Sequence, residues 1–179
     1  PSPSGTDYRG LFGGRGSGRG RYCLGAEQAA LDRTVGSAMC GLMAFISTRG
    51  LSDQQVQQVT EGMTCARHRG PDDTAVWHDD RVALGFNRLS IIDIEGSSQP
   101  LRWGPPENPE RYAMVFNGEI YNFVELRAGL ISDDHAAFRT SGDGEVIVAG
   151  YHHHGPYWVR QLRGMFAFVI WDTETKQVF

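Results

Sequence analysis

Cys40 follows Met39 directly and heads a short apolar run, Gly41-Leu42-Met43-Ala44-Phe45. A run of that length suits one strand and is too short for a helix of its own, so any fold of this chain carries a thiol at the start of a core strand. Two readings follow. A small buried cysteine on such a strand is ordinary, because reduced cysteine is among the most buried residue types. If Met39 is instead an initiator that is trimmed, Cys40 holds its thiol and the α-amine of the mature chain on one residue. An α-amine titrates at about 8 and a thiol about half a unit higher. The amine can then take the thiol proton at little cost, which makes an activated nucleophile with a built-in base.

The stretch ahead of Met39 differs from the rest. Gly10 to Gly20 is mostly glycine, arginine and serine and cannot bury enough apolar surface to offset the entropy of ordering. Residues 1–38 are therefore expected to be a disordered Gly/Arg-rich leader, a non-native extension, or a pro-segment whose removal exposes Cys40. Arginine-glycine tracts can hold single-stranded nucleic acid, yet a net charge of -4 and a hydrophobic share of 40% over 179 residues recommend no nucleic acid as main partner. The length suits one ordinary domain. Cys23, Cys40 and Cys65 are widely spaced, without a C-x-x-C pair, which suggests neither a disulfide framework nor a zinc knuckle and fits a reducing, cytoplasmic setting. No apolar run approaches the roughly 18 residues of a membrane span, and no secretory signal is present.

After the first strand, Ser52 with Gln55 three residues on makes a capping box, opening a helix that turns Val56, Val59, Met63 and Ala66 inward. Cys65 falls off that stripe. Gly70-Pro71 ends the helix in a charged turn. Strands are expected over 82–86 and 89–92, separated by Asn87-Arg88. A guanidinium at a strand edge is either a snorkelling surface group or a bidentate partner for a substrate carboxylate. A Gly/Pro/Ser-rich loop over 96–108 follows, with Trp103 pinned to the body. The strand 112–116 then delivers Asn117 and Gly118 to its exit. There an asparagine amide beside a glycine N–H can stabilise a developing oxyanion or simply form a hairpin turn. Asn122 with Glu125 caps the next helix, whose face is Phe123, Leu126 and Leu130. Asp143 is expected as N-cap of a helix over 146–149 or as the holder of a substrate ammonium. His152-His153-His154 point in different directions on a helix and do not make a zinc site. Met165 to Trp171 is a continuous apolar strand, 172–176 a turn, and 177–179 the start of a returning strand, so the fold is expected to be incomplete where the chain stops.

Six blocks change the odds together: Met39-Cys40-Gly41, Arg67-His68-Arg69-Gly70-Pro71-Asp72, Arg88-Leu89-Ser90-Ile91-Ile92-Asp93, Asn117-Gly118-Glu119-Ile120-Tyr121-Asn122, Asp143-Gly144-Glu145-Val146-Ile147 and Arg163-Gly164-Met165-Phe166-Ala167-Phe168. In this order they closely resemble the glutaminase domain of the glutamine-hydrolysing asparagine synthetases, from Met39 to Phe179. The resemblance implies a class II glutamine amidotransferase domain over 39–179, incomplete at its C-terminus. Its fold would be α+β, of the N-terminal-nucleophile type, a four-layer αββα sandwich of two antiparallel sheets, C-terminally truncated.

By the same resemblance Cys40 attacks the glutamine carboxamide, and Asn117 and Gly118 stabilise the oxyanion. Arg88 binds the α-carboxylate and Asp143 the α-ammonium, while Glu119 and the backbone of Leu89, Ser90, Ile91 and Ile92 complete the pocket. Glutamine hydrolysis needs no metal and no cofactor. ATP and Mg2+ are implied for a C-terminal synthetase domain that amidates aspartate and whose pyrophosphate-loop motif does not occur here. The implied partners are L-glutamine and that absent domain, with a homodimer left open and neither nucleic acid nor membrane. As written, residues ahead of Cys40 replace its amine by an amide, which would leave the nucleophile nearly inactive. The alternatives are a catalytically silent glutamine-binding or regulatory domain that keeps its leader, and the amidotransferase domain of a related synthetase with another acceptor.

Overall fold

Alternation along Val82-Ala83-Leu84-Gly85-Phe86 lets one strand serve two cores at once. The computed structural model describes residues 40–88 and 98–179, and Leu89, Ser90, Ile91 and Ile92 lie outside the described residues, as do 1–39. The first sheet joins β1 (Gly41–Ile46), β2 (Asp73–His78) and β3 (Val82–Arg88), antiparallel, in the order β1-β3-β2. In the central strand β3, Val82, Leu84 and Phe86 point one way and Ala83 the other, as the two-residue period requires. The second sheet joins β4 (Leu101–Trp103), β5 (Tyr112–Ile120), β6 (Gly164–Asp172) and β7 (Gln177–Val178) in that order, also antiparallel.

Three apolar clusters fix how helices and sheets stack. Helix α1 (Asp53–Cys65) buries Val59 and Met63 against Ala83, Met43, Phe45 and Val76, on the outer face of the first sheet. Val82, Leu84 and Phe86 meet Ala113, Val115 and Trp171 between the sheets. On the far side, Tyr112, Met114, Phe116 and Ile170 pack on Leu130 of α2 (Phe123–Asp134) and on Val146 to Ala149 of α3 (Glu145–His154). The order is helix, sheet, sheet, helices. Each buried Val, Leu or Phe side chain stabilises the stack by about 1.5–3 kcal/mol. The first two layers interlock closely, because a Cβ on Gly62 would meet the Met43 thioether and one on Gly85 would meet that of Met63.

Polar ties join the two sheets at one end of the sandwich. Trp171 Nε1 donates to Asp79 at 2.7 Å, and Lys176 Nζ reaches Asp79 and Asp80 at 3.3 and 3.0 Å. Arg102 of β4 lies 4.5 Å over the Trp77 ring of β2. These contacts pin the Ala113 end of β5 to the turn between β2 and β3. Both β3 and β5 run away from that end, since Trp171 pairs with Ala113 and the turn precedes Val82.

Several expectations hold and several need correcting. The Ser52–Gln55 capping box is present, as is the return strand, with Phe179 and Ile170 exchanging N–H···O bonds of 2.9 and 2.8 Å. However, β3 continues through Asn87 and Arg88 rather than breaking at them. Likewise β5 runs on to Ile120, so Asn117-Gly118 is neither a strand exit nor a hairpin turn. Asn122 begins α2 without capping it, because its Oδ1 accepts from Arg163 N at 2.9 Å and its Nδ2 donates to Gln161 O at 3.0 Å. Gly144, not Asp143, is the residue ahead of α3. Cys65 is disulfide-bonded, where its spacing suggests no bridge, whereas Cys40 keeps its thiol. Among the described residues no helix is long and apolar enough to cross a membrane.

Candidate active site

Cys40 reaches the end of the sandwich opposite the polar ties. Gly41 pairs with Asn87, so the register continued by one residue sets Cys40 across from Arg88, which in turn faces Asp73 of β2. Cys40 is half-buried and packs on the cluster between the sheets. Asn87 is fully buried and holds this corner rigid: its Nδ2 donates to Met63 O at 2.7 Å, and its Oδ1 accepts from Thr74 Oγ1 at 2.9 Å. The turn Arg67–Arg69 closes over the same corner. A Cβ on Gly70 would press on the Asn87 and Arg88 backbone, and Asp72 N donates to Arg88 O at 3.0 Å. The Arg-His-Arg-Gly-Pro-Asp block is therefore a wall of the Cys40–Arg88 corner.

β5 brings the second half of the set to that end. Ala113 and Val115 face the other sheet, so strand parity turns Asn117 to the same inter-sheet face on which Cys40 packs. Among the described residues the edge of β5 is open beyond Met114, where its pairing with β4 stops. On that open edge the Gln99 amide replaces a strand, accepting from Phe116 N at 2.6 Å and donating to Phe116 O at 2.8 Å. Four residues further on, Ile120 N donates to Asp143 Oδ2 at 2.7 Å. Gly118 lies between them with the same parity, so its N–H faces the same edge. Gly118 has φ +137, and a Cβ there would run into Met165 O. Only glycine fits this close approach in that backbone region. A side-chain amide and a strand N–H thus stand on adjacent residues, Asn117 and Gly118, near the end of β5.

Asp143 and Glu119 add charge at this edge. Burial is the largest influence on Asp143 and pushes its carboxyl above the ordinary range; the Glu119 carboxylate pushes the same way, while backbone N–H groups, that of Ile120 first, pull it back. Glu119 itself is exposed. Cys40, Arg88, Asn117, Gly118, Glu119 and Asp143 thus fall toward one end of the two sheets. Sequence reasoning missed the residues that hold them. Gln99 carries no local signal, because its partner Phe116 is seventeen positions away. Glu145 does, as an acidic residue heading the apolar run Val146 to Ala149, and it is 1% exposed.

Among the described residues no group of three His, Cys, Asp or Glu side chains could hold a metal ion. The histidine run is spent elsewhere: His152 Nδ1 and the Tyr112 hydroxyl share a 3.0 Å hydrogen bond, and His154 Nε2 lies 2.9 Å from Asp134 Oδ2.

Comparison with known proteins gives the family of this chain. The family described as "Glutamine amidotransferase domain" matches residues 39–179. A protein named "Putative asparagine synthetase, glutamine-hydrolyzing" of Mycobacterium bovis is 52% identical over 151 residues, covering 79% of this chain and 23% of its own length. "Asparagine synthetase, glutamine-hydrolyzing, 1" of Bacillus subtilis is 40% identical over 136 residues, covering 75% and 21%. "Asparagine synthetase B, glutamine-hydrolyzing" of Escherichia coli is 35% identical over 136 residues, covering 76% and 24%. The chain therefore spans between a fifth and a quarter of the length of these relatives. A matched span that begins one residue before Cys40 and takes in every candidate site residue makes this chain a member of the glutamine amidotransferase domain family.

Proposed function

We propose that residues 39–179 are the glutaminase half of an ATP-dependent asparagine synthetase, with an N-terminal-nucleophile fold, and that they hydrolyse L-glutamine to L-glutamate and ammonia. The observation that carries the reading is the gathering of a thiol, a guanidinium, two amide donors and a carboxylate at one end of the two sheets. In this reading the Cys40 sulfur attacks the side-chain amide carbon once the peptide bond before Cys40 is gone, and the exposed α-amine relays the protons. Asn117 Nδ2 and Gly118 N–H take the negative oxygen of the tetrahedral intermediate, a task worth about 2.7–4 kcal/mol per donor. Ammonia leaves with a proton from the α-ammonium, a thioester remains on Cys40, and water cleaves it to glutamate.

The Arg88 fork holds the α-carboxylate bidentately and Asp143 holds the α-ammonium, with Glu119 and the backbone of Leu89 to Ile92 completing the pocket. The glutaminase step itself calls for neither metal nor cofactor. The names of the relatives support aspartate as acceptor, with ATP and Mg2+ used by a synthetase domain beyond these residues. Glutamate release from L-glutamine by protein beginning at Cys40, set beside its Cys40→Ala variant, tests the reading. The variant should be inactive; equal rates would sink it. Intact mass of the cellular protein supplies the second check, and retention of residues 1–39 would favour a silent glutamine-binding domain.

A further inference from the structure

The segment from Arg139 to Gly144 carries Asp143 to the edge of β5, and it is irregular, so its backbone groups need partners from outside. Two charged side chains provide them. Arg127 of α2 donates from Nη1 to Thr140 O at 2.6 Å and from Nη2 to Gly142 O at 2.5 Å. Its guanidinium lies 4.4 Å over the Phe138 ring. Glu145, buried at the start of α3, accepts from Arg139 N at 3.1 Å, from Thr140 N at 2.9 Å and from Thr140 Oγ1 at 3.0 Å. One residue takes the carbonyls of the segment and the other its N–H groups. A planar fork spanning two carbonyls is something a lysine cannot reproduce, and a buried carboxylate is tolerated here only because its donors are supplied.

We infer that Arg127 and Glu145 are positioning residues for the ammonium end of the substrate: clamping residues 139–144 from both sides, they hold the Asp143 carboxylate against the Ile120 N–H. The substrate half of this inference rests on the glutamine reading, whereas the effect of the clamp on Asp143 does not. Displacing a binding group by an ångström costs orders of magnitude in productive geometry. Loosening the clamp should therefore act through substrate binding at Asp143.

The test uses protein beginning at Cys40, the form in which the glutamine reading expects activity, with Arg127→Met, Arg127→Lys and Glu145→Gln, and two measurements: amide hydrogen exchange at Ile120, and KM and kcat for L-glutamine. Arg127→Met should speed exchange at Ile120 more than at Asn117, whose N–H faces β6. It should raise KM about ten-fold while kcat stays within about two-fold. Lysine should restore part of the loss, and in an Asp143→Asn background Arg127→Met should raise KM no further. Unchanged exchange at Ile120, or a fall in kcat at constant KM, would overturn the inference. Should wild type release no glutamate while Ile120 exchange responds as described, the clamp stands and the glutamine reading falls. If Arg127→Met does not fold, Arg127→Lys and Glu145→Gln carry the same two measurements.

Discussion

Asp143 is a buried carboxyl whose ionisation costs stability, and in the proposed site it is the ionised form that would bind substrate. Its carboxyl titrates above the ordinary 3.8, first because it is buried and also because Glu119 lies near. A raised folded value means the native state takes up the proton more readily than the unfolded chain, so ionisation erodes stability as pH rises through that value. The ionised form is the one that can hold an ammonium. KM for glutamine should therefore climb as pH falls through the raised value, at higher pH than an unperturbed carboxylate would give. In Asp143→Asn the KM should be uniformly high and flat with pH, and the melting temperature no lower than wild type. Kinetics across an acid pH series, with melting curves alongside, check both halves. In the sequence, Cys40, Arg88, Asn117, Gly118 and Asp143 each have an ordinary structural reading when taken alone, and only the six blocks together single them out as candidates. Their supports were not legible there, since Asp143 resembles a helix cap until the distant Ile120 N–H is known to claim its oxygen.

Elements succeed in sequence reading where their signals are local. The Ser52–Gln55 box is four consecutive residues speaking to one another, and it forms, with Ser52 N donating to Gln55 Oε1 at 2.9 Å. Asn122 carries the same kind of signal, yet its amide bridges to Gln161 and Arg163 ahead of β6. Tertiary partners outcompete a cap that offers a single bond. The strand β5 escapes its turn signal for a similar reason, as nine consecutive pairs with β6 outweigh the local preference of Asn-Gly. The bridging role makes a prediction that capping does not. Aspartate caps as well as asparagine, but Asn122→Asp keeps the acceptor for Arg163 and loses the donor to Gln161. Urea denaturation should show it about 1 kcal/mol less stable than wild type, whereas a cap would leave the midpoint unchanged.

At the scale of the whole sandwich, one end carries the polar ties between the two sheets and the other gathers the candidate site residues. Asp172 belongs to the first. It is 4% exposed, and although burial by itself would raise its carboxyl, the Arg111 guanidinium at 2.7 Å and the N–H groups of Thr175 and Glu174 bring it below 3.8. A depressed folded value stabilises the fold above the unfolded one and is lost as pH falls through it. Asp172→Asn should cost about 1.5–3 kcal/mol near neutrality, and the gap from wild type should close in strong acid, as denaturant midpoints at several pH values would show. The fit between the first helix and its sheet has a further consequence. Met43 and Met63 fill the sockets that Gly62 and Gly85 leave by having no side chain, and an oxygen added to either sulfur brings polar bulk into a space with no slack. Dilute peroxide should therefore unseat α1, with each sulfoxide found by mass spectrometry at Met43 or Met63 matched by a lower melting temperature, and methionine sulfoxide reductase should reseat it.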